Sequence, residues 1–246
     1  MTPIQGLLLG LLQGLTEFLP VSSSGHLVIA QHLFGFSSPP VAFDILVHVA
    51  TALAVIFVIW PFILKLNSRL IILIILASLP AALVGFFLNT QVEALFSSLP
   101  LVGLSLIITA FLLFSTSTSK KILTQLNPKN SFIIGLFQAL AIIPGISRSG
   151  STIAAGLFQN LKPATVFNFS FLLSLPAIFG AQILHFNQLT QSTYFPPSTL
   201  VLGFLAAFIS GFFSLKLLRK IVIKAQLSRF GFYCLALGVI LLLTAL

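Results

Sequence analysis

The sequence predicts an all-α integral membrane protein made of two inverted-topology repeats, each a re-entrant helical hairpin followed by three transmembrane helices. Three observations predict it: an apolar composition with little charge, six long apolar runs beside two broken ones, and a self-similarity that relates the broken runs. Of 246 residues, 58% are hydrophobic and 6% charged, and the mean hydropathy is +1.15, whereas about a quarter of residues are charged in an ordinary soluble domain. The net charge of +9 comes from twelve Lys and Arg against three Asp and Glu. These cations are spread thinly between apolar runs and build no basic face, which excludes nucleic-acid binding. The start, MTPIQGLLLG, lacks a basic n-region and a cleavage site, so the first apolar segment is expected to remain in the mature chain. A single cysteine, Cys234, excludes an internal disulfide and a cysteine-based metal cluster.

Taken in order, residues 3–33 are apolar but interrupted by LPVSSSGH. The piece after the break spans only half a bilayer at about 1.5 Å per residue, so the region reads as two half-helices of a hairpin. Spans of about 20 residues follow at 41–62, 70–88 and 99–116. STSTSKK, at 115–121, reads as a flexible linker ending in lysines. A second broken region, 131–161, is interrupted by IPGISRSGS, and spans follow at 164–185, 198–216 and 230–246. The two repeats are therefore 1–120 and 126–246.

Charge supports the hairpins. If each broken region enters and leaves on one side, eleven of the twelve basic residues fall on a single face, and only Arg148 lies inside a broken region. If each crossed once, the same residues would divide five against six. The positive-inside rule selects the first arrangement and makes the basic face cytoplasmic, with both termini outside. Setting residue i against i+125 aligns Gly10 with Gly135, Gln13 with Gln138, Ser22 with Ser147, Ser24 with Ser149 and Gly25 with Gly150. Three spans per repeat invert the second repeat relative to the first, so the hairpin tips are expected to meet near the bilayer midplane.

Those tips carry the chemistry. The first offers Gln13, Glu17, Ser22, Ser23, Ser24 and His26; the second offers Gln138, Ser147, Arg148, Ser149, Ser151 and Thr152. Gln13 and Glu17 share one helical face. A carboxylate and a guanidinium at membrane depth are costly unless paired or hydrated, which implies a wet polar pocket. SSSGH and SRSGST each begin a half-helix, where free N–H groups, the helix dipole and serine hydroxyls suit an anion. Two such starts could hold a diphosphate, with Arg148 as a bidentate donor. Glu17 can ligate a divalent cation or accept a proton, and His26 can act as nucleophile or proton carrier.

QGLTEFLPVSSSGH and PGISRSGST resemble the paired signatures of the undecaprenyl-diphosphate phosphatase (bacitracin-resistance) family, in order and within a similarity that extends over the whole chain. The resemblance implies a membrane phosphatase that removes the terminal phosphate of undecaprenyl diphosphate and returns the carrier to cell-wall synthesis. It also implies catalytic roles for Glu17 and His26, a nucleophilic or positioning role for Ser23, and diphosphate binding by Ser147, Arg148 and Thr152. A divalent cation, Mg2+ or Ca2+, is implied as well, with Glu17 and Gln13 as ligands. Gln13 stands where the family often has Glu, which removes one negative charge from that site and predicts weaker metal affinity. His26, Ser23 and water all remain open as the first attacking group.

The competing class is an inverted-repeat transporter or flippase of a lipid phosphate or anion. The tips favour an enzyme, because Glu17 and His26 face Ile142 and Ser151 in the repeat, so the two halves contribute different groups. The expected partners are the lipid diphosphate and the bilayer, with no nucleic acid, and a homodimer is compatible with the reading. The expected location is the bacterial cytoplasmic membrane, with the site opening outward. The plainer alternatives are a snorkelling Arg148, and glycines and serines that serve helix packing alone. Asp44 and His48, at i and i+4, read either as support for the site or as a helix-start acid with its neighbour. Glu93 reads as solvated in an outer loop, and His32 and His185 have no visible partner.

Overall fold

The computed structural model describes residues 1–36, 40–96, 98–116, 125–184 and 195–244. Eleven α-helices and no β-strand occur among them. The first broken region forms α1 (Pro3–Phe18) and α2 (Ser23–Leu33), and the second forms α7 (Pro128–Leu140) and α8 (Arg148–Phe158). The remaining helices are α3 (Val41–Ile63), α4 (Ser68–Phe87), α5 (Asn89–Leu95), α6 (Leu99–Phe114), α9 (Pro163–Leu184), α10 (Pro197–Ile223) and α11 (Ser228–Thr244). Four of them, α3, α4, α9 and α10, are long and apolar enough to cross a membrane, while α6 and α11 are shorter apolar helices of 16 and 17 residues. Two boundaries depart from the sequence reading. α10 continues through its basic residues to Ile223 because nothing in KLLRKIVI breaks a helix, and the segment holding Glu93 coils into α5. Lys120, Lys121 and His185 lie outside the described residues.

Each break has a chemical cause. Pro20 cannot continue α1, and Ser22 then caps α2 by accepting from the Gly25 N–H at 3.3 Å. In the second break Gly145 takes φ +94, a region that favours glycine, and a Cβ there would meet Ser105 and the Val102 carbonyl. Ser147 then caps α8 by accepting from the Gly150 N–H at 3.2 Å.

Glycine also sets the packing. Gly6 lies against Thr199, and a Cβ on Gly10 or Gly14 would run into backbone at Gly203 or Ala207, so α1 and α10 lie side by side in the same direction. Ser210 and Ser214 of α10 reinforce this by donating to the carbonyls of Leu11 and Leu15 at 3.3 and 3.1 Å. The same approach occurs at Gly135, whose Cβ would meet the Ala77 carbonyl, so α7 packs on α4 as α1 packs on α10. α6 and α11 run antiparallel through mutual contact of Gly103 and Gly238.

The chain turns back at both breaks. Gln31 near the end of α2 bonds Asp44 near the start of α3, and α3 lies alongside α10 with Phe43 against Gly203. α1 and α3 therefore start at the same end of the bundle. At the opposite end, Asn130 of α7 bonds Gln159, which follows α8, at 2.8 Å, and Arg69 of α4 donates to the Leu126 carbonyl at 3.0 Å. The start of α4, the start of α7 and the end of α8 thus gather at the end carrying the basic residues.

Candidate active site

The two breaks meet against α6. A Cβ on Gly25 would lie 3.1 Å from Val102 and 3.4 Å from the Gly145 Cα, and one on Gly150 would lie 3.2 Å from Pro20. Thr109 of α6 pins the second tip, donating to the Gly145 carbonyl and accepting from the Ser147 N–H, both at 3.1 Å.

Glu17 is the centre of the polar cluster. Arg148, at the first position of α8, places Nη2 2.5 Å from Glu17 Oε1. Ser23, at the first position of α2, donates to Oε2 at 2.7 Å, and Gln13, one turn before Glu17 on α1, donates to the same oxygen at 3.1 Å. The Glu17 and Arg148 side chains are 7% and 16% exposed, a burial tolerated only because each charge compensates the other. Arg148 also lies over the Phe171 ring at 5.8 Å. Its second nitrogen, Nη1, is buried with no hydrogen-bond partner among the described residues, and so is Gln13 Oε1.

The serines frame this pair from both sides. Ser22 and Ser24 have hydroxyls 3.2 Å apart, and at the start of α8 Ser147 and Ser149 have hydroxyls 3.3 Å apart. Two serine-capped helix starts therefore converge on one ion pair, each with free N–H groups and the positive end of a helix dipole.

Other sequence-derived candidates sit differently. No hydrogen bond or ion pair joins His26 to Glu17 among the described residues: its Nδ1 is 2.8 Å from the Ser22 carbonyl and its Nε2 is 2.6 Å from the Tyr233 hydroxyl. Thr152 is fully buried and directed inward, donating to the Arg148 carbonyl at 2.9 Å with the Ser170 hydroxyl 2.6 Å away. These contacts fasten the start of α8 to α9. His48 is a neighbour of the site, with Nε2 3.9 Å from Glu17 Oε2. Its Nδ1 donates to the Asp44 backbone carbonyl at 2.7 Å, while the Asp44 carboxylate takes the Gln31 amide at 2.9 and 3.0 Å. The i, i+4 pattern flagged His48 and Asp44 and offered support for the site as one of two readings, but nothing in the sequence linked Asp44 to Gln31. Tyr233 and Ser170 had no sequence signal.

For a divalent cation, no group of three His, Cys, Asp or Glu occurs among the described residues. Two neighbouring oxygen groups are of the hard type that a divalent cation takes: the Glu17 carboxylate and Gln13 Oε1, which is buried with no hydrogen-bond partner among the described residues.

Comparison with known proteins shows extended similarity. The family model described as bacitracin resistance protein BacA matches residues 6–240. A protein of Desulfosudis oleivorans named undecaprenyl-diphosphatase is 43% identical over 265 residues, covering 97% of each chain. A protein of the same name from Bacteroides fragilis is 42% identical over 254 residues, covering 96% of each. A third, from Methanobrevibacter smithii, is 38% identical, covering 96% of this chain and 95% of its own.

Proposed function

Because the chain belongs to the bacitracin resistance protein BacA family, we propose that it hydrolyses undecaprenyl diphosphate to undecaprenyl phosphate and inorganic phosphate. This returns the lipid carrier to cell-wall synthesis and confers resistance to bacitracin. The observation that carries the reading is the Glu17–Arg148 pair, which brings a carboxylate from one tip and a guanidinium from the other between two serine-capped helix starts. The relatives' names favour hydrolysis over transport.

The diphosphate takes Arg148 as its bidentate partner, with Nη1 already free to donate. Ser22, Ser24, Ser147 and Ser149 and the N–H groups beside them receive the remaining oxygens. Arg148 thereby releases Glu17, which is hydrogen-bonded to Ser23 Oγ at 2.7 Å, the spacing of an activated nucleophile and its base. Ser23 Oγ attacks the terminal phosphorus and passes its proton to Glu17. The bond from phosphorus to the bridging oxygen breaks, and undecaprenyl phosphate leaves with that electron pair. Water then attacks the phosphoserine, and the serine oxygen recovers a proton as inorganic phosphate departs. His26, one turn beyond Ser23 on α2, serves as the proton carrier through Nε2. Glu17 and Gln13 would hold Mg2+ or Ca2+, which supplies charge neutralisation at the phosphate oxygens when bound.

The architecture is read as six spans, α3, α4, α6, α9, α10 and α11, and two re-entrant hairpins in inverted repeats. What supports this is the reciprocal packing of α1 on α10 and α7 on α4, and the return of both broken regions to the end where they began. The basic end is cytoplasmic by the positive-inside rule, so both termini and the site face outward in a bacterial cytoplasmic membrane.

The test is phosphate release from undecaprenyl diphosphate by the purified protein in detergent with Mg2+, beside Glu17→Gln, Arg148→Ala and Ser23→Ala. Turnover by the parent and loss of about two orders of magnitude or more in each variant is expected. A folded parent that releases no phosphate with either Mg2+ or Ca2+ refutes the phosphatase reading.

A further inference from the structure

α11 lies outside the Glu17 cluster, yet it reaches the first tip at two successive residues. Its height is set against α6 by the mutual contact of Gly103 and Gly238 and by Gly231, where a Cβ would meet the Phe114 ring. At that register Cys234 Sγ lies 3.5 Å from the Pro20 carbonyl oxygen, and the Tyr233 hydroxyl lies 2.6 Å from His26 Nε2. The two rings are parallel within 10°, with centroids 5.7 Å apart.

The partners decide where the protons sit. The Ser22 carbonyl only accepts, so His26 Nδ1, 2.8 Å away, carries the proton. The neutral ring then has its lone pair on Nε2, and Tyr233 donates to it. His26 is 7% exposed, and Nε2 is the one nitrogen left for chemistry. Tyr233 is 47% exposed and can yield its place to an arriving group. Stacking alone needs no hydroxyl, since a phenylalanine would supply the ring face.

The geometry points to Tyr233 as a positioning residue for His26: its hydroxyl fixes the imidazole with the lone pair on Nε2 and covers that nitrogen until substrate displaces it. This rests on the reading of His26 as the proton carrier. Tyr233 acts through His26, and it joins the last helix of the chain to a hairpin formed at its beginning.

The test uses the full chain purified in detergent, the parent beside Tyr233→Phe and, as a second hydroxyl-free variant, Tyr233→Met. Carbethoxylation of His26 by diethyl pyrocarbonate is followed by peptide mass spectrometry, with His32 as the internal reference, and steady-state kinetics are measured on the same samples. Expected is a rise of about fivefold or more in His26 modification relative to His32, with kcat lower by about tenfold and KM within about twofold, the size of effect of one lost hydrogen bond at a working group. Parent-like modification of His26 in both variants, or unchanged kcat, overturns the role of Tyr233. His26→Ala run alongside separates the two readings. Full turnover in that variant overturns the proton-carrier role and the positioning role with it, whereas lost turnover with parent-like labelling in Tyr233→Phe overturns Tyr233 alone.

Discussion

Removing Arg148 tests the join between the two tips. In Arg148→Ala the Glu17 carboxylate keeps its bonds from Ser23 and Gln13 but loses the cation 2.5 Å away. Breaking a buried pair by deleting one partner costs about 3–5 kcal/mol, and the 16% exposure of Arg148 puts this case near the lower value. At roughly 2–4 °C per kcal/mol for a chain of this size, Tm should fall by about 6–12 °C. Glu17→Gln in the same background removes the stranded charge while an amide oxygen still accepts from Ser23. The double variant should therefore recover about half of the lost stability despite carrying two changes, because the burial cost of an unpaired charge has gone. The assay is thermal unfolding of the four proteins of this cycle in one detergent, with phosphate release measured in parallel; all three variants should be inactive although the double variant is firmer than Arg148→Ala. Equal Tm values for Arg148→Ala and the double variant would show that the two charges are not coupled, and would refute the reasoning.

Gly10→Leu and Gly135→Leu should each prevent proper assembly or cost more than about 2 kcal/mol, since the new side chain meets backbone at Gly203 or Ala77; the check is the yield of monodisperse protein and its Tm, with Gly85→Leu, which faces open space, as the neutral control. Gln13→Glu adds a second carboxylate beside Glu17, and the Mg2+ concentration for half-maximal phosphate release should fall several-fold; an unchanged metal dependence would remove Gln13 from the ligand set. In a Cys234→Ser background, a single cysteine at Ser24 or Phe36 should react with a membrane-impermeant maleimide added outside intact cells, and one at Lys162 should not. Labelling of the first two only after the cells are opened would reverse the orientation.

That Glu17 and Arg148 share one polar pocket was legible in the sequence, because its self-similarity at an offset of 125 residues sets two Ser-rich breaks against each other, one carrying Glu17 and the other Arg148; their direct pairing appears only in the structure. The helix caps were legible for the same reason: Ser22 with Gly25 and Ser147 with Gly150 are one local pattern used twice, and capping depends on residues three apart. Composition likewise determined the membrane class, since apolar runs of span length need no tertiary information to be recognised.

Which helix lies opposite which was decided only in three dimensions. Lipid tails are as apolar as a protein core, so an apolar helix such as α4 or α6 does not declare in its sequence which face turns inward. That choice fell to close approaches of small residues, Gly10 on Gly203, Gly135 on Ala77 and Gly103 on Gly238. Their register brought His48 to Glu17, turned Thr152 toward Ser170, and set Tyr233 on His26, 207 residues away in the chain. Local chemistry travels with the sequence because it acts over one helical turn, whereas the partners of a buried side chain depend on where whole helices come to rest.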